Sequence, residues 1–246
     1  ELPEDFFLEG LKQLVNLDKD WIPKKKGSAM YLRPFMYADE HFIGMRAATS
    51  YKFIIICSPA GPYFSERIKL FAEKKFIRAA HGGTGEAKAA GNYAAAILPT
   101  EKAKSKGYNQ VLWLDAAEHK YIEEVGTMNI FFKIGDTLVT SPTNDRILDG
   151  ITRKSIIALA HHQGLKVEER PIKVSELIAA HENGSLQEVF GSGTAVVVLP
   201  IKSFSYQGKR YLMEKTPTVA QKLKESLTSI QYNLAEDQFN WRYPVI

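Results

Sequence analysis

Apolar residues in this chain come in short bursts. The stretches "FIIIC", "QVLWLD", "NIFFKI" and "AVVVLPI" each soon meet a proline, a glycine or a charged residue. Runs of this length fill strands of a packed sheet and are far too short to span a bilayer. "AMYLRPFMY" and "YKFIIICSP" read as strands followed by a Pro-Ala-Gly-Pro turn, and "GTMNIFFKIGDTLVTSP" reads as two strands about a Gly-Asp turn, the usual hairpin signal. Between them lie stretches with helical spacing: residues 7–17, with Leu8, Leu11, Leu14, Val15 and Leu17 on one side; "AAAILPTEKAKSKG"; "GITRKSIIALAHHQG", opening and closing on glycine; "VSELIAAHENG"; and "TPTVAQKLKESLTSIQYN", with Pro217 near its first turn. "GSGTAVVVLPI" reads as a glycine-rich turn feeding a strand. The alternation is irregular and rich in hairpins, so the fold class is mixed α/β, with α+β-type mixed sheets rather than a strict βαβ series.

The 246 residues suffice for one large domain or two modest ones, and a polar, charged stretch near Ser65–Lys75 is the expected connection. The expected division is 1–64, a connection at 65–77, and a large domain over 78–246. A net charge of +4 is scattered in runs such as "PKKKG" and "AEKKF", which read as solvated surface and not as a nucleic-acid groove. The single cysteine, Cys57, lies in an apolar run and reads as a core thiol of a reducing compartment. There is no signal or transit pattern. Together these imply a cytoplasmic protein with neither a membrane nor a nucleic acid as partner.

Chemistry is concentrated in a few places. In "HGGTGEAKAAGNYA" one long cationic side chain, Lys88, stands among glycine and alanine. Small neighbours leave room for a flat ring to reach the amine, and a lysine that sheds its proton is a nucleophile; the alternative is a surface lysine in a small-residue turn. A nucleotide-binding loop fails on spacing, because glycine should directly precede the lysine and Ser or Thr follow it. Glu123 and Glu124 are consecutive in an expected strand and so face opposite ways, one toward a site and the other toward solvent. The helix that starts at Gly150 leaves the amides of Ile151 and Thr152 free for an anion. In "FGSGTA", Gly191, Ser192 and Gly193 can bend amides, with the Thr194 hydroxyl, around an oxyanion. An amine, a carboxylate for a ring nitrogen and amides for a phosphate describe pyridoxal phosphate binding. His81, His119, His161 and His162 fit no ligand spacing, so no metal site is expected.

"GGTGEAKAAGNYAAA", "VLWLD", "EEVGTMNIFF", "ILDGITRKSI" and "EVFGSGTAVVV", with "DKDWIP", "YLRPFMY" and "SPAGPYF" upstream, occur in the order found in the branched-chain amino acid aminotransferases, fold-type IV pyridoxal phosphate enzymes, which the chain resembles over essentially its whole length. The resemblance implies a small α/β domain and a larger mixed α/β domain. It implies reversible transamination of leucine, isoleucine and valine with 2-oxoglutarate. Lys88 resembles the lysine that forms the imine with pyridoxal 5'-phosphate and then shuttles the α-proton. Glu124 resembles the carboxylate on the ring nitrogen, which leaves Glu123 as the exposed neighbour. Tyr93 resembles the ligand of the ring oxygen; Ile151, Thr152 and Thr194 match the phosphate ligands; Arg78 matches an arginine near the cofactor. On the substrate side the matches are Tyr31, Arg33, Tyr63, Thr127 and Ala195. The family is normally a homo-oligomer, dimeric or higher.

Two departures stand out. Val196 and Leu199 occupy the places of a Cys-x-x-Cys pair found in some relatives. The chain opens at Glu1 without methionine, so it is expected to lack the family's N-terminal segment and to carry an incomplete small domain. The competing readings are a D-amino acid aminotransferase, an aminodeoxychorismate lyase, or an inactive truncated chain.

Overall fold

The computed structural model describes every residue except Glu1, Lys26, Pro62, Tyr63, Ser65 and Ile246. It divides into two compact units, one of Glu1–Tyr63 with Phe239–Ile246 and one of Phe64–Gln238.

In the first unit helix α1 (Glu4–Leu17) opens with Glu4 and Asp5, whose charges suit a helix N-terminus. A 3₁₀ turn, Lys19–Trp21, leads to the antiparallel pair β1 (Ala29–Ala38) and β2 (Tyr51–Ala60), in register from Ala29 opposite Ala60 to Ala38 opposite Tyr51. Phe7 of α1 packs against Phe53 of β2 with ring centroids 5.7 Å apart, and the Cys57 thiol donates to Asp18 Oδ2 at 3.1 Å.

The second unit runs β3 (Ile68–Ala72), α2 (Ala90–Ser105), β4 (Gln110–Leu114), β5 (Ile122–Val125), β6 (Asn129–Ile134), β7 (Thr137–Thr140), α3 (Ile151–His162), β8 (Lys166–Glu169), α4 (Val174–Glu182), β9 (Leu186–Gly193), β10 (Val197–Tyr206), β11 (Lys209–Leu212) and α5 (Thr218–Gln231). Among the described residues its strands form one sheet in the order β5-β4-β3-β10-β9-β6-β7-β8, with β11 added on β10. Strand β10 holds the two halves together. Its first part, Val197–Pro200, pairs antiparallel with β9; its second, from Ile201, pairs parallel with β3, with a register shift between Ile201 and Ser203. Leu112, Leu114, Ile130, Phe132, Ile201 and Phe204 are buried in the shared core.

Two sequence expectations meet a different structure. The polar stretch expected as a connection contains β3, whose Ile68, Leu70 and Ala72 are buried. The period-two alternation of a strand is present there, Ile68-Lys69-Leu70, but the surrounding charges mask it in composition. Gly191, Ser192 and Gly193 do not form a turn: they end β9 and pair with β6 and β10, and the turn proper is Thr194–Val196. A side chain at Gly191 would meet Met128 at 3.1 Å and Val125 at 3.2 Å, so close packing rather than curvature selects the glycine.

Helix α5 has Pro217 at its N-cap and no cap from its own side chains. Glu188 of β9 caps it instead: Val219 N–H and Ala220 N–H donate to its two carboxyl oxygens at 2.8 Å each, and the Thr218 hydroxyl donates at 3.2 Å. Replacing Glu188 by alanine leaves these buried amides unpaired and should lower the unfolding free energy by about 2–4 kcal/mol. Urea denaturation checks this; a loss below about 0.5 kcal/mol would mean the cap contributes little.

Candidate active site

Lys88 sits in the loop between β3 and α2, exposed, with its Nζ 6.0 Å from the centre of the Tyr93 ring in the first turn of α2. The loop is small for a reason internal to the protein. A Cβ at Gly85 would lie 2.6 Å from Arg146 Cα and 2.5 Å from Ala79 Cβ, so the loop backbone is pressed directly on residue 146. Glu86 N–H donates to Asp145 O at 3.2 Å and Gly82 N–H to the Asp145 carboxylate at 2.7 Å. From the other side Asn92 closes the loop, donating to Thr84 O at 2.6 Å and Ala87 O at 3.0 Å.

Glu124 is 2% exposed. Arg78 Nε bonds its Oε2 at 2.7 Å; Leu148 N–H and Asn129 Nδ2 donate to its Oε1 at 2.9 and 3.3 Å. Burial nevertheless pushes its pKa from 4.5 up to about 7, against the pull of Arg78, the Leu148 amide and, more weakly, Lys88. Glu123, expected on the solvent side, is 3% exposed. The alternation of faces holds, but the outer face of β5 is covered as well. Arg146 Nε donates to Glu123 Oε1 at 2.6 Å, while Oε2 is buried without a partner. Burial raises the Glu123 pKa too, with Arg146 opposing it. A cleft of about 570 Å³, lined among others by Glu123, Arg146, Asp115, Tyr121 and Ile147, opens on this face; Lys88, Tyr93 and Glu124 are not among its lining residues.

The start of α3, expected to bind an anion, is tied to Glu124 through Leu148 and Asn129. Helix α3 starts at Ile151 after Gly150, and its first ladder bond runs from Lys154 N–H to Gly150 O at 3.0 Å, so the amides of Ile151 and Thr152 precede the ladder. A Cβ at Gly150 would lie 2.2 Å from Asn129 Oδ1, which ties the helix start to the glutamate's own partner. Asn129 also faces Ser192 across β6 and β9, two residues before Thr194. Thr194 and Ala195 lie exposed on the β9–β10 turn, and Thr127 lies exposed on the Gly126–Thr127 turn between β5 and β6. These two turns approach each other at Gly193, whose Cβ position is 4.0 Å from Thr127 O. Tyr31 and Arg33 belong to the first unit, where Arg33 Nη2 donates to Tyr31 OH at 3.0 Å. Tyr63 lies outside the described residues.

Asn92, Asn129, Asp145 and Arg146 escape the sequence reading. Asn129 carried the clearest signal, as part of "EVGTMN"; the others become visible only once the loop is closed. The donor set, an accessible amine, a buried carboxylate titrating near neutrality and amides at a helix start, fits the aldehyde, ring nitrogen and phosphate of pyridoxal 5'-phosphate.

Residues 2–204 match the model of the amino-transferase class IV family. The chain is 49% identical to branched-chain-amino-acid aminotransferase 2 of Bacillus subtilis (strain 168), over 98% of this chain and 68% of that protein. The branched-chain aminotransferase of Thermoproteus uzoniensis, solved with norvaline, superposes with a TM-score of 0.80 at 28% identity, covering 97% of this chain and 76% of that one. The branched-chain amino acid aminotransferase of Thermobaculum terrenum, solved in its PLP form, superposes with a TM-score of 0.75 at 22% identity, covering 97% of this chain and 74% of that one.

The folded chain holds the Glu124 proton more tightly than the unfolded chain does. Stability from this group is therefore complete below pH 4.5 and is lost as pH rises through about 7. In cofactor-free protein, the stability difference between wild type and Glu124→Gln should move by about 3 kcal/mol in favour of the variant between pH 4 and pH 8. Urea denaturation across this range checks it; parallel pH profiles would contradict the raised pKa.

Proposed function

The chain belongs to the class IV aminotransferases, and from that premise we infer that it transfers an amino group reversibly between leucine, isoleucine or valine and 2-oxoglutarate, with pyridoxal 5'-phosphate as carrier. The observation that carries this reading is the meeting of the Lys88 loop, buried Glu124 and the open start of α3 on one strip of chain, 144–151. Lys88, Tyr93, Glu124, the amides of Ile151 and Thr152, and Thr194 would hold the cofactor. When bound, the cofactor supplies an electron sink for the α-carbon and carries the amino group between the half-reactions.

The protein's own groups do the rest. The Lys88 amine stands on an exposed loop and takes and returns the α-proton of the amino acid. A charged Glu124 would hold the proton on the ring nitrogen of the bound cofactor. Arg78, its ion-pair partner, opposes the burial that would neutralise it. The resemblance to the family supports Tyr31, Arg33, Tyr63, Thr127 and Ala195 as substrate contacts, with the Arg33 guanidinium taking the second carboxylate of glutamate. We place the enzyme in the cytoplasm as a homo-oligomer; its lone, half-buried thiol supports a reducing compartment.

L-Leucine added to the cofactor-loaded protein should convert its absorbance to that of the aminated cofactor, and 2-oxoglutarate should restore it. D-Alanine and aminodeoxychorismate should do neither; a response to either of them with none to L-leucine would reject the substrate class. Lys88→Ala should slow the half-reaction about 10²–10⁴-fold while leaving the far-ultraviolet circular dichroism unchanged. Glu124→Gln should slow α-proton removal, followed with α-deuterated leucine, far more than Glu123→Gln; equal effects would contradict the assignment of faces.

A further inference from the structure

We propose that Arg146 is a positioning residue of this reaction: its guanidinium occupies Glu123 and so reserves Arg78 for Glu124. The inference rests on the aminotransferase reading and adds a role to a residue that the motifs do not mark.

Glu123 and Glu124 are consecutive and both almost wholly buried, at 3% and 2% exposure. A buried carboxylate keeps its charge only with a cation or hydrogen-bond donors beside it, and here each of the two has its own arginine. Arg78 Nε meets Glu124 at 2.7 Å, and Arg146 Nε meets Glu123 at 2.6 Å. The arginines are themselves joined, because Arg78 Nη1 donates to the Arg146 carbonyl at 2.6 Å and its Nη2 to Gly85 O at 3.1 Å. Arg146 therefore neutralises one glutamate with its side chain and aims the partner of the other with its backbone. The same residue is the surface on which the Lys88 loop rests at Gly85, and Leu148, two residues on, donates its amide to Glu124.

Without the guanidinium, Glu123 is a buried carboxyl with no cation of its own. Arg78 already exerts a weaker pull on Glu123, so it is the nearest substitute. If Arg78 turns to Glu123, Glu124 loses its ion pair. If Arg78 stays and Glu123 keeps its charge, the repulsion that Glu123 already exerts on Glu124 is no longer offset by a cation. The charged groups acting on Glu124 are Arg78, Glu123 and Lys88, and both of these outcomes shift their balance toward a neutral Glu124. A Glu123 that takes up a proton instead leaves the Arg78 pair intact, and Arg146→Met then keeps the wild-type kcat, the result that overturns the proposal. Glu124 is assigned to the cofactor and not to the substrate, so the cost should fall on kcat and cofactor retention and spare KM.

The test compares holoenzymes of wild type, Arg146→Met, Arg146→Lys, Glu123→Gln and the double variant Arg146→Met/Glu123→Gln, with L-leucine and 2-oxoglutarate as substrates. Pyridoxal phosphate affinity is measured separately by titrating stripped protein. Arg146→Met should lose about tenfold in kcat, the equivalent of one pKa unit at Glu124, with KM for leucine within about twofold and with weaker cofactor binding. Arg146→Lys, which keeps a cation, should recover most of the loss. The double variant, which removes the stranded charge, should return close to Glu123→Gln. A wild-type kcat in Arg146→Met, a rise in KM without a fall in kcat, or a double variant as slow as Arg146→Met would overturn the proposal. If Arg146→Met does not fold, Arg146→Gln, which also removes the cation, takes its place: a tenfold loss of kcat that Glu123→Gln reverses supports the role, and a wild-type kcat refutes it. A wild type that neither takes up pyridoxal phosphate nor responds to leucine defeats the aminotransferase reading itself, whereas an active wild type with indifferent variants defeats only the role of Arg146.

Discussion

Opposite charges on Arg78 and Glu124 sit 2.7 Å apart with almost no access to water. Removing a carboxylate from water is costly, and one cation does not fully offset it; burial still pushes Glu124 up to about 7. The surrounding structure is arranged to keep that pair in place. Leu148 and Asn129 supply further donors to the glutamate, and the carbonyls of Gly85 and Arg146 hold the other end of the arginine. Because the Gly85 carbonyl belongs to the Lys88 loop, the arginine that serves the buried acid also fixes the loop that carries the amine. A protonated ring nitrogen placed beside Glu124 would be a second positive neighbour, favouring the charged carboxylate against the burial that raises its pKa.

The sheet supplies the frame for this arrangement. Strand β10 crosses from an antiparallel neighbour to a parallel one, so β5, with its paired glutamates, and β9, which leads into the Thr194 turn, belong to one sheet. Asn129 is the local joint: it faces Ser192 on β9, bonds Glu124 on β5 and abuts Gly150 before α3. Glycine at 85 and at 150 is demanded by these close approaches between parts of the protein, whatever else lies in the site.

Much of this was legible in the sequence. The Gly135-Asp136 hairpin, the helix opening at Gly150 and the helix closing at Gly184 are set by local backbone chemistry, and the structure has them where the pattern put them. The family and its fold followed from ordered motifs. What the pattern missed depends on contacts distant in sequence. Glu123 alternates away from Glu124 as expected, but alternation says nothing of what covers the second face, and Arg146 covers it from 23 residues away. Strand β3 is hidden by its charged flanks, and "GSG" reads as a bend because glycine permits one, although here it is held extended between β6 and β10. The small residues around Lys88 suggested space for a bound ring; part of their purpose is to let the loop lie on Arg146.

The central claim, that a single amine held by this network anchors the cofactor, is tested most directly by borohydride reduction of the pyridoxal phosphate-loaded protein followed by tryptic mapping. Reduction on Lys88 blocks cleavage there, so the account predicts one phosphopyridoxyl peptide spanning residues 79–102. A label on any other lysine, or intact loaded protein that takes no label, would contradict it.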